Sequence, residues 1–149
     1  MPRVSTPHLV SLGYEGRNAA ELIETLKAER VTVLADVRLT PISRKPGLSK
    51  TALSEALHEA GIHYVHYREL GNPKENRDGY RAGDAAALKA FDKVLQSSAG
   101  RAALRHVSEL LDDGVVALLC FERDHSTCHR SQVADELAHL CSGLQVTYA

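Results

Sequence analysis

Apolar residues run along this chain in two alternating rhythms. Short, nearly unbroken runs, the pattern of strands buried on both faces, lie at residues 8–14, 31–37, 62–67, 115–121 and 144–148. Between them apolar positions fall three and four residues apart, as on a helix with one buried face. Leu22, Ile23 and Leu26 make such a stripe, as do Leu53, Ala56, Leu57 and Ala60, then Leu88, Phe91 and Leu95, then Leu104, Val107 and Leu111, and finally Val133, Leu137 and Leu140. The punctuation agrees with the rhythm. Asn18 with Glu21 three residues on is a capping-box pattern, and Gly61 is placed to stop the helix over 49–60. Asp84 can cap the next helix, and Ser126 or Thr127 the last, which would leave Cys128, His129 and Arg130 in its first turn.

Strands alternating with helices through short connections predict an α/β fold, a mostly parallel five-stranded sheet with helices on both faces in three layers. At 149 residues the chain is the size of a single domain, residues 1–149, with no repeat or interdomain linker. Residues 72–83, rich in Asn, Arg, Lys, Gly and Asp, read as a long loop.

Composition narrows the function classes. A formal net charge of −1 gives no global footprint for nucleic acid or an acidic membrane, though local patches remain open. No apolar run nears the ~18 residues of a membrane span, and the first residues do not resemble a signal peptide. Three cysteines in a domain of this size argue against a disulfide framework. A cytoplasmic location without a membrane partner is expected.

Parallel sheets bind ligands beyond the carboxyl ends of their strands. The polar residues gather at four of those ends: Glu15-Gly16-Arg17, Asp36 and Arg38 with the basic loop 39–50, Arg68 to Gly71, and Glu122 to Arg130. Arg38, Ser43, Arg44, Lys45, His129 and Arg130, with the helix amino end, suit a phosphate or carboxylate pocket. Solvated or carboxylate-paired arginines are the plainer alternative. Glu15, Asp36 and Glu122 are carboxylates at strand ends, where crowding raises a pKa into the range for acid–base work; each could equally hold an arginine. Cys128 stands where a helix dipole and Arg130 would lower a thiol pKa. The Cys-x5-Arg spacing of phosphatase loops is absent, since Ser126 stands six residues after Cys120 and Ala134 six after Cys128. Cys120, His125, Cys128 and His129 invite a metal reading, but without a Cys-x2-Cys pair, and with Cys120 inside a strand, none is expected. Neither a Gly-x-Gly-x-x-Gly nor a Walker loop follows the first strand, so no cofactor is expected either.

The ordered set Leu12-Gly13-Tyr14-Glu15-Gly16, Asp36-Val37-Arg38, Pro41, Ser43-Arg44-Lys45-Pro46-Gly47, Gly61-Ile62-His63-Tyr64, Leu70-Gly71 and Cys120 to Glu122 with Cys128-His129-Arg130 resembles the bacterial family numbered 488 among the domains of unknown function. Where many relatives have Gly-His-Ser at the first strand end, this chain resembles the branch with Gly-Tyr-Glu-Gly, so no role of that histidine or serine carries over. The resemblance implies an α/β domain whose matched residues Glu15, Asp36, Arg38, Ser43, Arg44, Glu122, Cys128, His129 and Arg130 surround a pocket, and a link to nucleotide or nucleic-acid processing. The expectation is therefore a hydrolase or transferase acting on a phosphate-bearing nucleotide or nucleic-acid fragment, with an N-glycosidic bond as one target. A non-catalytic binding module for a phosphorylated ligand is the alternative, and a thiol-dependent redox or transferase protein using Cys128 a third reading.

Overall fold

The computed structural model describes residues 6–149. Five strands, β1 (His8–Gly13), β2 (Val31–Asp36), β3 (His63–His66), β4 (Val115–Cys120) and β5 (Gln145–Tyr148), form one sheet in the order β3-β2-β4-β1-β5. Every pairing is parallel, as strands that are apolar on both faces require. Six helices connect them: α1 (Ala19–Ala28), α2 (Lys50–Glu59), α3 (Arg77–Arg81), α4 (Ala85–Gln96), α5 (Ser98–Asp113) and α6 (Arg130–Leu140). No helix among the described residues is long and apolar enough to cross a membrane.

The sheet separates two apolar cores, giving the expected three layers. Leu22 and Leu26 of α1 and Leu53 and Leu57 of α2 pack with Val10, Leu12, Leu34 and Leu119 on one face. Phe91 and Leu95 of α4, Leu104 and Val107 of α5, and Val133 and Leu137 of α6 cover the other with Leu9, Val33, Val116 and Leu118. The capping box forms as its spacing predicts: the Asn18 side chain accepts from the Glu21 amide at 2.8 Å and Glu21 accepts from the Asn18 amide at 2.9 Å. Leu88 and Leu140, expected in apolar stripes, are instead exposed.

Three local predictions are corrected. Residues 72–83 are not an open loop, because a 3₁₀ turn at Lys74–Asn76 runs into α3, and Tyr80 is buried edge-on against Phe91 at 6.0 Å. Asp84 precedes α4 but makes no capping bond. Ser126 and Thr127 do not cap α6: they lie in a 3₁₀ turn, His125–Thr127, whose start Asp124 caps by accepting from the Ser126 amide at 2.9 Å. Cys128 is extended and α6 begins only at Arg130.

Candidate active site at the carboxyl end of β4

Strand β4 lies between β2 and β1, yet its exit leads to α6 on the sheet face opposite the α1 and α2 that follow its neighbours. Loops that diverge in this way open a crevice, the usual ligand position in such sheets. The exits are nonetheless tightly joined. Tyr14 and Glu15 donate their amides to the carbonyls of Cys120 and Phe121 at 3.1 and 2.9 Å. A Cβ on Gly13 would stand 1.9 Å from the Glu122 carbonyl oxygen, so only glycine permits this approach.

A cavity of about 670 Å³, including its open mouth, occupies the crevice on the β2 side of β4. Its lining includes Tyr14, Arg38, Ile42 and Phe121, the Asn72, Arg77, Tyr80 and Arg81 side chains, and Cys120, Glu122 and His129. Tyr14 meets Phe121 edge to face at 5.4 Å, and the Arg38 guanidinium lies 5.4 Å from the Tyr14 ring centre.

The predicted clamp arginines have other duties. Asp36 is fully buried, and Arg38 grips it through Nε at 2.9 Å and Nη2 at 2.7 Å, while Nη1 donates to the Leu48 carbonyl at 2.7 Å. The Tyr64 hydroxyl also donates to Asp36. Although burial works against the Arg38 charge, its bonds to Asp36 hold its pKa above the ordinary arginine value. All three guanidinium nitrogens of Arg38 are engaged inside the protein, although Arg38 also lines the cavity, and Asp36 is held in a buried ion pair.

Arg130 lies under the β4–α6 turn, wholly buried, with Nη2 donating to the Glu122 carbonyl at 2.6 Å and no partner for Nε or Nη1. It lines neither this cavity nor the second, more open groove formed by Ser11, Arg17, Arg123, Asp124, His125 and Ser126 with Tyr148 and Ala149. Its charge is felt on the groove side: after burial it is the largest influence lowering the His125 pKa, and it adds to burial and Arg123 in lowering that of Arg17. Arg38 and Arg130 therefore do not form one clamp. The amino end of α6 is closed too, because the amides of Ser131 and Gln132 donate to the carbonyls of Cys128 and His129 at 3.0 and 3.2 Å.

Glu122 borders the cavity as an ionised carboxylate. Burial pushes its pKa up, but its own amide, the Arg81 guanidinium and Cys128 together bring it below the usual glutamate range. Arg81 reaches its Oε1 through both Nε and Nη2 at 2.9 Å. The raised acid expected here is absent. Cys128 departs from its expectation in the other direction: only 1% exposed, it has its thiol pKa pushed well up by burial and by Cys120. An activated nucleophile has the reverse properties.

The remaining predicted residues serve the loops. Glu15 accepts from the Arg123 amide at 3.0 Å. Lys45 donates to the carbonyls of Tyr14 and Arg17 at 3.1 and 3.0 Å, and Ser43 exchanges bonds with Ser49 at the start of α2. Arg44 is exposed, and neither cavity is lined by Ser43, Arg44 or Lys45.

The family model described as Domain of unknown function DUF488 matches residues 18–137 of the chain. The chain is a DUF488 protein. No curated protein and no solved structure matches it.

This DUF488 domain uses residues that sequence reasoning passed over. Arg77, Tyr80 and Arg81 line the cavity from a segment taken for a loop, although Tyr80 as the lone aromatic of that stretch was a signal for a buried anchor. Cys120 and Cys128 do converge: with His129 they place two sulfurs and one ring nitrogen within 4.8 Å of one another. His129 Nδ1 lies 3.8 Å from Cys120 Sγ and 3.6 Å from Cys128 Sγ, while its Nε2 donates to the Val37 carbonyl at 2.7 Å.

Proposed function

We propose that this chain binds a phosphate-bearing nucleotide or nucleic-acid fragment in the cavity beside β4, as a recognition module. The observation that carries the reading is the cavity's lining, which mixes apolar surface with arginine donors. Phe121 and Ile42, both exposed, offer apolar surface beside Tyr14 on which a base can pack. Arg77 and Arg81 also line the cavity. Arg77 makes one long bond, Nε to the Asn72 carbonyl at 3.4 Å, leaving most of its donors for a phosphate. Recognition is favoured over acid–base turnover because Asp36 is neutralised by Arg38 and Glu122 by Arg81.

Hydrolysis of an N-glycosidic or phosphoester bond is the second reading, and Glu122 supports it. An ionised carboxylate in the cavity wall can orient and deprotonate a water, although no partner carboxylic acid faces it. We further propose that the Gly-Tyr-Glu-Gly motif marks a bacterial branch of the family in which Glu15 fastens the β1–α1 turn to Arg123.

The test is calorimetric titration with mononucleotides and short oligonucleotides, followed by product analysis. Arg77→Ala should weaken binding at least about tenfold, the scale of one lost charge-assisted bond. Absence of any nucleotide binding, or binding indifferent to Arg77→Ala, would remove the reading. Product formation that Glu122→Gln abolishes would favour the enzyme.

A further inference from the structure

The geometry points to a divalent metal site of the zinc class at the floor of the cavity, held by Cys120 Sγ, Cys128 Sγ and His129 Nδ1, with the Glu122 carboxylate closing the fourth position. The inference does not depend on the nucleotide reading, since it concerns the floor of the cavity and a different ligand.

The sulfurs and the ring nitrogen lie close to the spacing a bound ion requires. Tetrahedral coordination with metal–sulfur bonds of about 2.3 Å and metal–nitrogen or metal–oxygen bonds of about 2.0–2.2 Å separates neighbouring donor atoms by roughly 3.5–3.8 Å. Nδ1 of His129 lies 3.8 and 3.6 Å from the two sulfurs, and Cys120 Sγ lies 3.6 Å from Glu122 Oε2. Three donors, from the end of β4 and the pair preceding α6, therefore gather within 4.8 Å of one another, and Glu122, two residues beyond β4 and 3.6 Å from Cys120 Sγ, is placed to complete the set.

The imidazole is oriented for the task. A carbonyl oxygen only accepts, so the bond from Nε2 to Val37 O puts the ring proton on Nε2 and turns the Nδ1 lone pair toward the sulfurs. A histidine metal ligand is held in this way, its second nitrogen donating to a backbone carbonyl. The Phe91 ring packs edge-on against it at 5.2 Å and keeps it from turning. Cys128 and His129 are nearly inaccessible elsewhere, but Cys120, Glu122 and His129 border the cavity, which gives an ion its path inward.

The donor set defines the class of ion. Two thiolates and an imidazole select zinc or another soft or borderline metal over magnesium or calcium, which need oxygen ligands. On binding, each thiol gives its proton to solvent and each sulfur takes up a metal bond, with no change of oxidation state. Among the protein's ligands the carboxylate is the exchangeable one, because it alone has a competing partner in the exposed Arg81.

The experiment uses the full chain stripped with a chelator under reducing conditions and titrated with Co2+ alone, then with Zn2+ against a chromophoric chelator. One Co2+ per chain should bind with an intense sulfur-to-cobalt charge-transfer band and the visible bands of a tetrahedral ion, and one equivalent of Zn2+ should abolish both. Cys120→Ser and Cys128→Ser should each weaken Zn2+ binding by more than the roughly 100-fold that changes outside the ligand set reach. Glu122→Gln should keep the charge-transfer band while altering the visible bands. Cys141→Ser removes the third buried cysteine, which lies outside the donor set, and should bind Zn2+ as the wild type does. Circular dichroism separates loss of the site from loss of the fold, and if either cysteine variant fails to fold, the wild-type cobalt spectrum still decides. A spectrum without thiolate bands would overturn the site. So would Zn2+ binding unchanged in folded Cys120→Ser or Cys128→Ser, or a reduced chain that binds neither ion and merely forms a Cys120–Cys128 disulfide on oxidation.

Discussion

Replacing Asp36 and Arg38 singly and together tests how the cavity is braced. Asp36, itself fully buried, accepts Arg38 Nε at 2.9 Å, Arg38 Nη2 at 2.7 Å, the Arg38 amide at 3.1 Å and the Tyr64 hydroxyl. Asp36→Leu strands a buried guanidinium and Arg38→Met a buried carboxylate, so each should cost about 3–5 kcal/mol. Independent effects would then sum to about 6–10 kcal/mol, enough to unfold most domains of this size. The double variant removes both charges. It leaves the Leu48 carbonyl without the Arg38 donor and the Tyr64 hydroxyl without its acceptor, an expected loss of only about 2–4 kcal/mol. Urea unfolding followed by far-ultraviolet circular dichroism measures all four species, and an unchanged slope certifies the comparison. At roughly 3–4 °C per kcal/mol, the single variants should melt about 10–20 °C below wild type and the double variant clearly above both. A double variant as unstable as the sum, or a single variant within about 1 kcal/mol of wild type, would refute a buried, coupled pair.

Other consequences are open to simple measurement. Cys128 should resist iodoacetamide in the native state and react in urea, because its thiol is buried and its pKa raised; labelling at the rate of a free thiol would contradict the packing. The lowered Glu122 pKa stabilises the fold above the unfolded glutamate value of about 4.3, and that contribution disappears as pH falls through the folded value, so the stability gap between wild type and Glu122→Gln should narrow in acid. Arg81→Ala should raise the Glu122 pKa measured by NMR titration. Tyr67 has its pKa pushed up to about 12, chiefly by burial, so it favours the folded state below pH 10 and loses that effect between about pH 10 and 12; Tyr67→Phe should flatten this part of the stability profile. Gly13→Ala should cost at least about 3 kcal/mol by thermal melt, since its Cβ would meet the Glu122 carbonyl and the backbone must move.

The strands and most helices were legible because burial on two faces or one leaves a period that local sequence carries. The β4 run, the α1 capping box and the α5 stripe needed no tertiary information. The site was legible only as a region. Asp36 and Arg38 were recognised as neighbours, but their mutual satisfaction depends on the Leu48 carbonyl and Tyr64, which arrive from other elements. Ser126 and Thr127 resemble helix caps in sequence, yet Asp124 takes the capping bond two residues earlier and starts a 3₁₀ turn in their place. That turn defeated the reading of the cysteines. It folds the chain back so that Cys128 reaches Cys120 across a spacing no short metal motif would have suggested.

The tether of His129 to residue 37 runs through a main-chain oxygen. Any apolar side chain that fits the core could replace Val37 and still supply that acceptor, so relatives can lose the valine and keep the same imidazole pose. The group that aims the ring has no amino-acid letter of its own, and substitution tolerance at position 37 would give no hint of its role.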